Sequence, residues 1–265
     1  MADLRESLNE IKYFLLDLDG TVYLGDKLIG KMDETLNEIR NAGKKIVFLT
    51  NNSSKSVECY AEKLKRMKLF KNGDEICTSG IATARFLAEK RKGKKVYLLG
   101  TESLKKEFKA EGIELTEKCD ADICVLAYDT ELTYKKLCLF TDNLRKGAEY
   151  IATHPDINCP SEIEPVPDVG AFIEMIRCST ERTPDIIMGK PYTYFGEYLK
   201  NEYKSEKNEF VMVGDRLYTD IAFGVNCGFH TIFVLSGEGT YDMLKTTEKK
   251  PEFVLDSLNE IIKYL

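Results

Sequence analysis

The sequence predicts an α/β protein: a parallel sheet flanked by helices, with a second α/β segment inserted into it. Three observations lead there. Short apolar runs rich in β-formers alternate with amphipathic helical stretches along the chain. Strands in the outer parts of the chain end on acidic, basic or hydroxyl residues. The middle third holds enough strands and helices to build a small layer of its own.

The first strand is YFLLD, closing on Asp17. DETLNEIRNAG then places Leu36, Ile39 and Ala42 at helical spacing, with Asp33 as the expected N-cap and Gly43 as C′. KKIVFLT is a second strand, ending at Thr50. SSKSVECYAEKLKRMKLF sets Val57, Tyr60, Ala61, Leu64 and Met67 on one helical face behind serine caps, and EICTS is a third strand. From Gly80 onward, helices are expected near 81–91, 102–110, 133–146 and 170–178, with strands in KVYLLG, DICVLAY and YIATH. After the polar break STERTP, the runs DIIMGKP, EFVMVGDRLYTD and HTIFVLSG are expected to resume the first sheet. Residues 1–79 and 184–265 are therefore expected to form a core, and 80–183 an insertion. The tail PEFVLDSLNEIIKYL predicts a last strand and a helix capped at Asp256 or Ser257.

Composition narrows the function. A net charge of −6 and a pI near 5.3 make the chain repel polyanions, which argues against nucleic acid as a partner. The eight cysteines are scattered with no pair at metal-knuckle or redox spacing, as expected for reduced thiols in a cytoplasmic protein. The start MADLRESLNEIKYF lacks the apolar stretch of a secretion signal. No apolar run approaches the roughly 20 residues that span a bilayer, so no membrane partner is expected. Only His154 and His230 are present, which excludes schemes needing several imidazoles. The basic run EKRKGKK reads as the cationic end of a helix stopped by Gly93 rather than as an anion site.

In an open parallel sheet, ligands bind beyond the carboxyl ends of the strands, where loops and helix N-termini gather. Four predicted strand ends carry suitable chemistry: Asp17, Thr50, Lys190 and Asp215. Asp17 and Asp19, two residues apart, return to one side of an extended backbone, and carboxylates that close repel unless a cation or proton relieves them. A hard, oxygen-seeking ion such as Mg²⁺ suits them, and Gly20 permits the turn that follows. Asp215 is the next candidate ligand, with Asp220 assisting directly or through water. Lys190 would neutralise a phosphate. Thr50 offers a hydroxyl, and Asn51, Asn52 and Ser53 offer backbone N–H groups entering a helix. An aspartate before a helix is ordinarily an N-cap, but capping does not explain acids, a lysine and a threonine at four separate strand ends.

The strings DLDGTVYLG, LTNNSS, GKP and VGDRLYTDI, in that order, resemble the four signature motifs of the haloacid dehalogenase (HAD) superfamily. The insertion, containing ATHPD and PDVGAF, resembles the branch with a large α/β cap that includes NagD-type and 4-nitrophenyl phosphatases. His154 stands where many relatives have asparagine. The resemblance implies a Rossmann-like HAD core with an inserted cap, and a phosphatase acting on a small phosphate ester. It implies that Asp17 attacks phosphorus to form an aspartyl-phosphate and that Asp19 serves as acid, then base. Mg²⁺ would be held by Asp17, the Asp19 carbonyl and Asp215, and Thr50, Asn51 and Lys190 would clamp the phosphate. The cap would close over the rim and choose the leaving group, with His154, Asp156, Asp168 and Gly170 as candidate specificity residues. Two rival readings share part of this chemistry: a phosphomutase, and a phosphoacceptor signalling module, which has no need of the insertion. A dinucleotide-binding oxidoreductase is disfavoured because no G-x-G-x-x-G follows the first strand.

Overall fold

The computed structural model describes residues 4–160 and 164–265. Its strands in chain order are β1 (Tyr13–Leu16), β2 (Tyr23–Leu24), β3 (Lys27–Leu28), β4 (Lys45–Thr50), β5 (Glu75–Thr78), β6 (Val96–Leu99), β7 (Ile123–Leu126), β8 (Glu149–Ala152), β9 (Asn158–Cys159), β10 (Val166–Pro167), β11 (Ile186–Ile187), β12 (Phe210–Gly214), β13 (His230–Val234) and β14 (Phe253–Leu255). The α-helices are α1 (Leu4–Glu10), α2 (Met32–Asn41), α3 (Val57–Arg66), α4 (Ser79–Lys90), α5 (Glu102–Ala110), α6 (Tyr134–Arg145), α7 (Val169–Thr180), α8 (Thr193–Tyr203), α9 (Ala222–Cys227) and α10 (Met243–Thr246). The chain forms two compact units. One consists of Met1–Thr50, Tyr60–Cys77 and Lys190–Leu265, the other of Asn51–Cys59 and Thr78–Gly189.

The first unit is built on a six-stranded sheet of order β14-β13-β12-β1-β4-β5. β1 lies inside it, paired parallel with β12 and β4, so that Leu16 is in register with both Val213 and Phe48. All four residues of β1 are buried, which is why YFLL shows no polar alternation: helices cover both faces of a parallel sheet. Phe14, Leu16, Phe48, Val211 and Val213 share one core with Leu36 and Ile39 of α2. Leu4 and Leu8 of α1 join that core, and the sequence reading had assigned no element there.

The second unit has a four-stranded parallel sheet of order β11-β8-β7-β6. Successive residues point to opposite faces, and each face has its own core. Tyr150 and Ala152 pack with Phe140 of α6 and Ile173 of α7, while Ile151 packs with Ala84 of α4 and Phe108 of α5.

Several expectations need correction. DIIMG does not rejoin the first sheet; Ile186–Ile187 is an edge strand paired with β8. Asp185 directs this, because its carboxylate accepts from the Tyr150 N–H at 2.8 Å and its own N–H donates to the Tyr150 carbonyl at 2.7 Å. Helix α2 starts one turn-fraction earlier than predicted, with Lys31 rather than Asp33 at the N-cap. Asp220 lies inside a wide π-type turn, Leu217–Ile221, that leads into α9. The tail strand is followed by a 3₁₀ helix, Leu258–Lys263, with Ser257 at its N-cap but no side-chain cap bond.

Phe14 is fully buried in the central strand. Phe14→Ala is expected to lower unfolding free energy by about 3–5 kcal/mol, read from the denaturant midpoint at unchanged slope.

Candidate active site

The site grows from the ends of adjacent strands. Asp17 directly follows β1, and its N–H continues the ladder to the Val213 carbonyl at 3.0 Å. Asp215 directly follows β12, the neighbour of β1. Parallel pairing in register therefore delivers both acids to one edge of the sheet. The turn between Leu217 and Ile221 brings in Asp220, and the ligand atoms of Asp17, Asp215 and Asp220 all lie within 4.8 Å of one another.

Small residues make this crowding possible. Gly20 has φ +89°, and a Cβ there would stand 2.3 Å from Asp215 Oδ2. A Cβ at Gly214 would stand 2.3 Å from the Asp220 Cβ. The glycine of the DLDG run is thus required twice over, by its backbone and by the carboxylate beside it.

Lys190 supplies the compensating charge. Its ammonium, 1% exposed, donates to Asp17 Oδ1 at 2.7 Å and to Asp220 Oδ1 at 2.6 Å, with the Leu49 carbonyl at 3.4 Å. Burial works against a lysine charge, but the two carboxylates outweigh it and hold the proton more firmly than in an ordinary lysine. Burial also raises the Asp17 carboxyl well above the usual carboxylate range; Asp220 adds to the rise, Lys190 opposes it and Asp215 adds a smaller push. Burial and then Asp220 push Asp215 up to about 6, against the bond from the Glu238 N–H.

Three carboxylates against one ammonium leave two negative charges in excess when all are ionised. Asp220 has both oxygens engaged, Oδ1 by Lys190 and Oδ2 by the Arg216 N–H at 3.1 Å. Asp215 Oδ2 accepts from the Glu238 N–H at 2.7 Å, whereas Asp215 Oδ1 is buried without a hydrogen-bond partner among the described residues. A buried acceptor with no donor is costly unless a ligand satisfies it. An all-oxygen donor set with a surplus of two negative charges fits a hard divalent cation.

The remaining expected residues are distributed as follows. Asp19 is solvent-exposed in the turn after β1, and its carboxylate is not one of the converging three. Thr50 is the buried last residue of β4. Asn51 belongs to the second unit, where its side-chain amide lies 3.2 Å from each oxygen of Asp156. His154, fully buried, pairs through Nε2 with Asp168 Oδ1 at 3.0 Å and through Nδ1 with Thr153 Oγ1 at 3.0 Å. Asp168 also caps α7, accepting from the Val169 N–H at 2.7 Å. Gly170 lies so close to the Pro155 carbonyl that a Cβ would stand 2.3 Å from its oxygen. Of these four candidates, His154, Asp168 and Gly170 are buried and Asp156 is partly exposed.

Sequence reasoning missed the loop after β13. Ser236 Oγ donates to the Gly20 carbonyl at 2.7 Å, and Glu238 binds Asp215. The signal available was SGEG at the end of HTIFVL, a glycine pair around an acid at a strand terminus.

Comparison with known proteins accords with this geometry. Residues 14–114 match the haloacid dehalogenase-like hydrolase family, and residues 187–261 match a second, HAD-hydrolase-like family. Over 258 residues the chain is 33% identical to the acid sugar phosphatase of Staphylococcus haemolyticus, covering 97% of this chain and 98% of that protein. The 4-nitrophenylphosphatase of Thermotoga maritima is 43% identical, with a TM-score of 0.93 over 97% of this chain and 98% of its own. A solved structure described as a nagD protein is 39% identical, with a TM-score of 0.89 over 97% and 98% of the two chains. The chain therefore belongs to the haloacid dehalogenase-like hydrolases, in their NagD-like branch, and is a phosphatase.

Proposed function

We propose that the chain is a Mg²⁺-dependent phosphomonoester hydrolase that works through an aspartyl-phosphate on Asp17 and accepts small esters, sugar phosphates and 4-nitrophenyl phosphate among them. The observation that carries this reading is the partly exposed Asp17 carboxylate, held by Lys190 in the same cluster as an Asp215 oxygen that has no hydrogen-bond partner among the described residues. The substrate class is supported by relatives named acid sugar phosphatase and 4-nitrophenylphosphatase.

Asp17 and Asp215 Oδ1 would hold the cation, which when bound would offset the charge of the carboxylates and of the incoming phosphate. Asp220, with both oxygens engaged, acts on Lys190 and keeps its ammonium in place. Lys190 in turn keeps Asp17 ionised and fixes the direction of its attack. The Asp17 oxygen bonds to phosphorus while the bond from phosphorus to the ester oxygen breaks, and Asp19 gives that oxygen its proton. Water then attacks phosphorus, Asp19 takes the water's proton, and the bond to Asp17 breaks to release inorganic phosphate. Having given up its proton in the first step, Asp19 is already the base that the second step needs, and the water's proton restores its acid form. Thr50, at the end of β4, and Asn51 complete the reading as phosphate-binding residues.

Three outcomes are expected. Asp17→Asn and chelation of divalent metal should each reduce phosphate release from 4-nitrophenyl phosphate by at least about a thousandfold, at retained fold by circular dichroism; survival of activity in either would require another mechanism. Asp19→Asn should cost about 100-fold more on an alkyl phosphate than on the nitrophenyl ester, whose leaving group needs no proton. Equal losses on the two esters would remove Asp19 from the acid role. In metal-free protein, a carboxyl whose folded pKa of about 6 exceeds its unfolded value of 3.8 favours folding only when protonated, so its contribution lowers stability as pH rises from about 4 through 6. Asp215→Asn should accordingly raise the metal-free melting temperature by a few °C at pH 7, change it little at pH 4, and abolish the shift produced by MgCl₂.

A further inference from the structure

The loop at residues 235–239 holds none of the four motifs, yet it packs directly against Asp215. A Cβ at Gly237 would lie 2.0 Å from Asp215 Oδ2, and one at Gly239 would lie 2.5 Å from the Asp215 carbonyl oxygen. Backbone alone fits against this acid, and the Glu238 N–H, 2.7 Å from Oδ2, is the group it delivers. The Glu238 side chain turns back onto the segment that follows Asp215. Its Oε2 is 3.0 Å from Arg216 Nε, and its Oε1 accepts from the Tyr218 hydroxyl at 3.0 Å. A closed circuit results: Asp215 is held by the backbone of Glu238, and Glu238 is held by the residues one and three places after Asp215.

We propose that Glu238 is a positioning residue for the metal site. Its carboxylate, gripped by Arg216 and Tyr218, keeps its own N–H on Asp215 Oδ2 and thereby presents Oδ1 as the ligand atom. A carboxylate with one oxygen bonded to a fixed N–H is hindered from rotating and presents its other oxygen, so coordination begins from a preset direction. This rests on the reading above that Asp215 is a ligand of a divalent cation.

The test is titration of metal-stripped protein with MgCl₂ by calorimetry, with the metal-free melting temperature measured alongside. Glu238→Ala should weaken Mg²⁺ binding about tenfold while shifting the metal-free melting temperature by no more than about 3 °C. Glu238→Gln, which keeps an acceptor for Tyr218 and loses the charge pair, should lie between, and it provides the measurement if the alanine variant does not fold. The double variant Arg216→Met with Glu238→Ala should bind as weakly as Glu238→Ala alone. Wild-type affinity in Glu238→Ala would overturn the proposal. Recovery of affinity in the double variant would also overturn it, because the loss would then come from an unpaired Arg216 charge rather than from a loosened loop. Absence of Mg²⁺ binding in the wild type would sink the reading of Asp215 as a ligand, and the positioning role with it.

Discussion

The ammonium of Lys190 is the constraint on which the rest of the first unit's site depends. Three carboxylates drawn from two strand ends and a turn, two of them buried and Asp17 partly so, would repel one another strongly in a medium that screens charge poorly. One lysine, itself almost fully buried, bonds to two of them and makes the assembly tolerable without neutralising it. The residual negative charge is what a cation would answer on the proposed reading. The fold then holds an unfavourable electrostatic state that such a ligand would relieve, in line with the raised carboxyl pKa values of Asp17 and Asp215.

Steric conditions follow from the electrostatic one. Carboxylates can meet only where nothing else occupies the space, so glycines stand at 20, 214 and 237, where an added Cβ would come to 2.3, 2.3 and 2.0 Å from the acids. Each such glycine costs conformational entropy on folding, and the apolar burial of β1, β4, β12 and the helices over them offsets that cost. Function and packing are thus coupled at the same few positions: a residue chosen to pack better there would displace the acid.

Much of this was readable from the chain, and the exceptions have physical causes. Unbroken apolar runs announced strands buried on both faces, and their terminal residues announced the site, because a side chain at a strand end has few structural reasons to be charged. Asp17, Lys190 and Asp215 were named from those positions and Asp220 from its place five residues after Asp215, and the structure gathers the four. What sequence could not decide was which sheet a short apolar strand joins. DIIMG is an apolar run like the core strands, and it is the Asp185 bonds to Tyr150, continued by the Met188 and Gly189 N–H groups onto Ala152 and Thr153, that assign it to the second sheet. Glu238 was equally invisible, since it acts through its backbone N–H, and every residue except proline has one. His154 and Asp168 looked like rim residues by their loop context, whereas hydrogen bonding draws both into the interior of their own unit.

The place of β1 inside its sheet has a consequence for biosynthesis. One flank of this strand is closed early by β4, but the other waits for β12, which lies in the last quarter of the polypeptide. Until that stretch leaves the ribosome, an apolar parallel edge remains open to any passing strand, and a chaperone or a low synthesis rate would guard it. The ladder that would remove this hazard also brings Asp215 to Asp17, so closing the sheet and assembling the acidic cluster are one event.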